Sequence, residues 1–400
     1  MKVSDWVRTQ ISLTTGLLGL GFLFPFLSPA LLSYSRMFLP RAGLRTFLFY
    51  AGVFSLALAM LNAGKLVEAD EENYFFFFQE ILDGGVNGLT GNILDITGRS
   101  EVVFYWISYF IFGVLGASFK AVTVFWTFFT YLVSSLAFAK IFREKVSYSH
   151  TLPIFIFCVI LLINFTLTAQ VMRQYAAGAL VIAAFSYFDK RKLSFISLVM
   201  AGGIHNSAFL FLIPWGLSIY LQSRTNKVPS LLILLPILAI SFLIGKILYS
   251  LGGEGAEEIQ GWVLSGMKED GDIGAFKLIS IIASAAILFY EMKTQFDRNL
   301  LPLFTGFFFL IGLLLMAREF PLMLLRFSFY VEFFAFIAVA MLFFRVAKYV
   351  SGATLLILPI VANTLLLVRV FASPWTYSWF GGSLSENFII VLLLRMVNAS

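Results

Sequence analysis

Two residues stand out by type and spacing, Arg173 and His205. Arg173 opens an apolar helical segment, the triplet Lys190-Arg191-Lys192 interrupts it, and a second apolar segment then carries His205. Charged side chains are costly in lipid and are retained there for function. Each of the two lies about one membrane crossing from the same basic turn, so both face one side of a bilayer. An Arg offers a planar fork for phosphate or carboxylate. A His titrates near neutrality and suits proton transfer.

The elements that position them are membrane helices. Apolar residues make up 60% of the 400-residue chain and charged residues 12%, with a mean hydropathy of +0.91. Soluble domains carry about 25% charged residues. Spans of about 20 residues leave room for about a dozen helices. The pattern does not alternate as a membrane barrel requires. The expected fold is therefore an all-α polytopic transmembrane bundle of about 12 spans (range 11–14), forming a single membrane domain over 1–400. Spans are read near 11–33, 46–62, 120–139, 152–168, 174–189, 193–205, 206–222, 230–250, 274–292, 300–317, 327–344 and 353–371. The first apolar run is too long for the core of a signal peptide. The segment 102–118 reads as an interfacial or re-entrant helix, with a full span as the alternative. The run 193–222 would overshoot a bilayer as one helix. Gly202-Gly203 weaken it, so a break is expected near His205.

Charge sets the orientation. The loops 34–45, 140–150, 189–192, 223–229, 290–299 and 345–352 hold 15 basic residues and four acidic ones. By the excess of Lys and Arg they are cytoplasmic. The acidic loops 63–119 and 251–273 are then external and long, and long loops carry function more often than short ones. The net charge of +6 follows from these loops and does not point to nucleic acid. Cys158 is the single cysteine and the histidines are two, so neither an intramolecular disulfide nor a Cys/His zinc site is expected. No cofactor is expected, and no nucleotide-binding loop is present.

Arg173, Arg318, Arg326 and Arg369 all fall on the external side, against the positive-inside bias. An outer cluster of guanidinium forks reads as an anion site. Plainer readings stand beside it. Arg173 can snorkel to headgroups. Arg318 can pair with Glu319, and His205 can be a structural histidine bonded to Asn206 or Ser207. Glu332 needs a partner, for which Lys246 is the candidate. The acidic stretch Glu68–Glu72, which includes Asp70, can be merely solvated.

The order of these features is informative. Asp70 and Tyr74 lie in an external acidic stretch; Met172-Arg173-Gln174 with Ala177 opens a helix at its outer end. The Lys-Arg-Lys turn follows, then His205 with Ser207 and Ala208, then Arg326 with Tyr330 one turn on. This set resembles the EpsG-like family of bacterial exopolysaccharide and O-antigen polymerases, the Wzy-type enzymes. One departure is at Glu101, followed here by Val102-Val103 and not by the Pro-Gly-aromatic of many members. The resemblance implies a metal-independent glycosyltransferase of the bacterial inner membrane, with its site facing the periplasm. It would join undecaprenyl-pyrophosphate-linked repeat units on the outer leaflet, alongside membrane lipids and a co-polymerase that sets chain length. Arg173, His205, Arg326 and Asp70 would then be catalytic. Gln174, Arg318, Tyr330, Tyr74 and Arg369 would bind substrate. The arginines would hold the pyrophosphate in place of a metal. The base would be an external carboxylate or His205. The rivals are a lipid-linked oligosaccharide flippase, a membrane glycosyltransferase with a single-sugar donor, an acyltransferase using His205, and a non-enzymatic scaffold.

Overall fold

A computed structural model describes residues 43–63, 72–79, 101–224, 275–294, 300–316 and 321–350, apart from scattered positions within them, plus isolated positions near 240 and 360. The expected spans at 11–33, 230–250 and 353–371 lie essentially outside these residues, as does the 251–273 loop. All regular elements among the described residues are helical. Among the described residues three helices are long and apolar enough to cross a membrane: Leu44–Ala63, Phe119–Ile141 and Arg326–Val346.

Helix α1 (Leu44–Ala63) packs on α3 (Phe119–Ile141). Between them lies α2 (Val102–Tyr109), continued by a wider turn over Phe110–Val114. Together these 13 residues span roughly 20 Å, short of a bilayer core of about 30 Å. Gly116, at φ +62°, ends the segment in the left-handed conformation that only glycine adopts at no cost. Val102, Trp106, Phe110 and Val114 recur every fourth residue and are exposed, a stripe suited to lipid.

Four short helices follow: α4 (Thr151–Leu162), α5 (Met172–Ser186), α6 (Arg191–Ile204) and α7 (Leu212–Arg224). At 12 to 15 residues each they run roughly 18–22 Å. The chain breaks at His205, whose backbone is extended (φ −150°, ψ 117°), and a 3-10 segment (Asn206–Phe211) turns it back. The α6–α7 pair is an antiparallel hairpin. Trp215 Nε1 donates to Ser194 Oγ (2.8 Å), and Arg191 donates to Gln222 Oε1 (2.7 Å). Glycine at 202 and 203 lets the tip close, because a Cβ at Gly202 would sit 2.3 Å from the Phe209 ring and one at Gly203 2.5 Å from Val103 of α2.

Among the described residues, helices α8 (Ala275–Thr294), α9 (Leu301–Met316) and α10 (Pro321–Val346) follow. Helix α5 lies at the centre, touching α3, α6, α9 and α10. Its run Ala176-Ala177-Gly178-Ala179 is small and fully buried, and a Cβ at Gly178 would lie 2.4 Å from the Phe333 ring. Small residues of this kind let two membrane helices approach closely. The α10 span is 83% buried, against 50% for α1 and 56% for α3, so α10 shares the core with α5.

Candidate functional site at the Arg173 end of the bundle

The start of α5, the tip of the α6–α7 hairpin, the start of α2 and the first turns of α10 meet at one end. Arg173 donates through Nε to the Tyr74 hydroxyl (3.1 Å) and through Nη1 to the Tyr105 hydroxyl (2.9 Å). Nη1 also pairs with the Glu101 carboxylate. The guanidinium carbon sits over the rings of Tyr74 (5.1 Å) and Tyr105 (5.7 Å). The side chains of Arg173 and Glu101 are 12% and 6% exposed, so this is an ion pair held largely away from water.

Glu101 continues the network. Its Oε1 accepts the Asn206 N–H at 3.4 Å and lies 3.9 Å from His205 Nδ1. The Ser207 N–H points at the same Nδ1 (3.3 Å), and Ser207 Oγ lies 2.8 Å from it. A backbone N–H can only donate, so Nδ1 is the unprotonated nitrogen of the neutral ring and accepts from Ser207. Ser207 Oγ then accepts from the buried Tyr330 hydroxyl, 2.8 Å away. The chain of contacts runs from Tyr74 through Arg173, Glu101, His205 and Ser207 to Tyr330. It ties together positions 256 residues apart.

Most of the expected residues that are described fall in this cluster. Tyr74, Arg173, His205 and Tyr330 enter by side chain. Gln174 donates to the backbone carbonyl of Arg326, which ties the start of α5 to α10; the Arg326 side chain is exposed. Asp70, Arg318 and Arg369 lie outside the described residues. Lys246, the expected partner of Glu332, also lies outside them; among the described residues Glu332 has other partners. Lys277, in the first turn of α8, is 3.4 Å from Glu332, while Tyr175 (2.7 Å) and the Asn164 N–H (2.9 Å) donate to it. The α4 chain stops at Leu162 and turns extended at Ile163, which frees the Asn164 N–H for that carboxylate. Lys277 reaches Glu332 because α8 packs on α10.

Tyr105 and Lys277 are not singled out by the sequence, and Glu101 stands out there only as the point where the family pattern departs. Glu101 is the last acid before an apolar helix, with Tyr105 one turn on, and that pattern was the available signal. Arg173 is expected to hold an anion. In the structure its Nε and Nη1 are engaged, and among the described residues Nη2 makes no hydrogen bond. A phosphate oxygen would approach there. Among the described residues no group of three His, Cys, Asp or Glu could hold a metal ion.

A hydrolase-type triad needs the carboxylate and the hydroxyl on opposite ring nitrogens. Here Glu101 and Ser207 both face Nδ1, so Ser207 is not arranged as a nucleophile with Glu101 behind the histidine. No curated protein and no solved structure matches the chain. Over residues 46–380 the chain matches the EpsG family, and it belongs to that family.

Proposed function

We propose that this membrane protein of polysaccharide biosynthesis is a polymerase that joins lipid-linked oligosaccharide repeat units at the Arg173 end of the bundle. Membership of the EpsG family supports the pathway class. The observation that carries the finer reading is the convergence of Arg173, Glu101, His205, Ser207 and Tyr330, far apart in sequence, into one network. In the reaction the acceptor-sugar hydroxyl oxygen bonds to the donor's anomeric carbon. The bond from that carbon to the pyrophosphate oxygen breaks, and undecaprenyl pyrophosphate leaves with the electron pair. Arg173 stabilises the charge developing on the leaving group through Nη2, and Arg326 and Arg318 reinforce it. Glu101, Tyr74 and Tyr105 hold the fork at a fixed angle, so little reorganisation is needed. The hydroxyl proton passes to Ser207 Oγ as Ser207 gives its own proton to His205 Nδ1, and Glu101 at 3.9 Å stabilises the imidazolium that forms.

The positive-inside rule places this end outside the membrane, where a lipid-linked substrate presents its glycan. The test is purified protein in lipid nanodiscs with a lipid-linked repeat unit. A ladder of longer glycans without nucleotide or metal is expected. Arg173→Ala should insert normally and yield no ladder. Transport of the substrate between leaflets without a ladder would replace this reading with a flippase.

A further inference from the structure

The opposite end of the bundle holds a second polar feature, which the proposed chemistry does not use. The ends of α3, α5, α8 and α10 and the turn after α3 surround a cavity of about 870 Å³. Its charged lining is unbalanced. Lys140 is satisfied by Asp189 (2.7 Å) and Arg345 by Glu291 (2.9 Å). Arg143, Lys145 and Lys348 also line it, and among the described residues they have no ion-pair partner; Glu144 is the one further acid in the lining. Burial, and then the Lys348 charge beside it, hold Lys145 below the usual lysine range. The repulsion between Lys145 and Lys348 is relieved when an anion sits between them. The rim carries Tyr290 and Tyr349, both exposed, and aromatic rings of this kind mark the headgroup level of a membrane.

We propose that this cavity is a phosphate site, closed by the headgroup of an anionic phospholipid or by a soluble phosphate, with Arg143, Lys145 and Lys348 as its ligands. Basic pockets between helices on the cytoplasmic side of membrane proteins bind anionic headgroups in this way. A phosphate here offsets the excess of cations in the lining and ties the turn after α3 to the end of α10. The site lies at the other end of the helices from Arg173, so its occupancy is separable from the transfer reaction.

The test uses the full chain in phosphatidylcholine nanodiscs. Phosphatidylglycerol is titrated in one arm and inorganic phosphate in the other, read by native mass spectrometry and by the thermal midpoint. The triple variant Arg143→Gln/Lys145→Gln/Lys348→Gln is compared with Lys192→Gln, an exposed residue outside the cavity. Each basic residue facing an anionic group is worth about fivefold in affinity, so the triple variant should lose about 100-fold and the control nothing. Retention of phosphatidylglycerol by the wild type and its loss in the triple variant supports the site with a lipid ligand. Stabilisation by inorganic phosphate, lost in the same variant, supports it with a soluble one. Equal behaviour of wild type and triple variant under both probes overturns it. Should the triple variant fail to fold, Lys348→Gln alone, on an exposed turn, should show about a fivefold loss, and no change there overturns the proposal as well.

Discussion

The Glu101–Arg173 pair can be tested by taking it apart in both orders. Glu101→Leu leaves the Arg173 guanidinium with only two tyrosine hydroxyls and three ring faces. Arg173→Met leaves the Glu101 carboxylate with the Asn206 N–H and His205. Both side chains are nearly out of water, at 6% and 12% exposure. Removing one partner of such a buried pair costs about 3 to 5 kcal/mol, because the other charge stays buried without compensation. The tyrosines and Asn206 remain as partners, so the lower end, about 3 kcal/mol, is expected for each single variant. Replacing both by apolar side chains removes both buried charges. The double variant should therefore lie within about 1 kcal/mol of the wild type. The assay is heating in detergent followed by size-exclusion chromatography, with insertion checked in membranes. All three variants should make no polymer, the double variant despite its recovered stability. Wild-type stability for Glu101→Leu would mean that the pair does not form. Long-chain polymer from the double variant would refute any catalytic part for Arg173.

Other outcomes follow from the same geometry. Ser207→Ala strands the buried Tyr330 hydroxyl at a cost of about 1 to 3 kcal/mol. Tyr330→Phe should cost only about 1 kcal/mol, and Ser207→Ala should slow turnover more, about 100-fold, because it releases the imidazole that does proton transfer. Gly178→Ala drives a methyl into the fully buried Phe333 ring and should lose about 1 to 3 kcal/mol in the heating assay. Gly202→Ala meets Phe209, which is exposed and can swing away, so its loss should stay below about 1 kcal/mol. Burial, and then the Lys145 charge, lower the pKa of His150 at the head of α4. The unfolded chain then binds the proton more readily than the folded one. Stability should fall as pH drops below about 6.5, where an unfolded histidine titrates. His150→Asn should flatten that fall in a pH series of thermal midpoints.

The sequence made some of this legible for stated reasons. Apolar composition and length announce membrane helices, and two glycines before a histidine announce a break, which the structure places at His205. The common side of Arg173 and His205 follows from counting residues on either side of a basic turn. Partner choice was not legible. Helical periodicity says which residues share a face within one element and nothing about which carboxylate, 72 positions away, meets Arg173. Glu101 therefore reads as one more acid of an external run, and Lys277 is not among the partners the sequence offers Glu332. The start of α8, which carries Lys277, becomes a neighbour of α10 only through packing.

The two polar clusters at the Arg173 end are held by the same pair of helices. On α10, Tyr330 and Glu332 are two residues apart, which points them about 200° from each other around the axis. One reaches Ser207 and the other reaches Lys277 and Tyr175. On α5, Arg173 and Tyr175 are divided in the same way, and Gln174 between them bonds to the α10 backbone. A slide of α10 along α5 by even 1 to 2 Å would break the Ser207–Tyr330 and Tyr175–Glu332 bonds together, since hydrogen bonds weaken steeply beyond about 3.5 Å. The close contact at Gly178 and Phe333, one turn further along α5, prevents that slide. The angle at which Arg173 presents its fork is thus set by packing in the bundle's centre as well as by Glu101. A substitution deep in the α5–α10 contact should disturb the site without touching it.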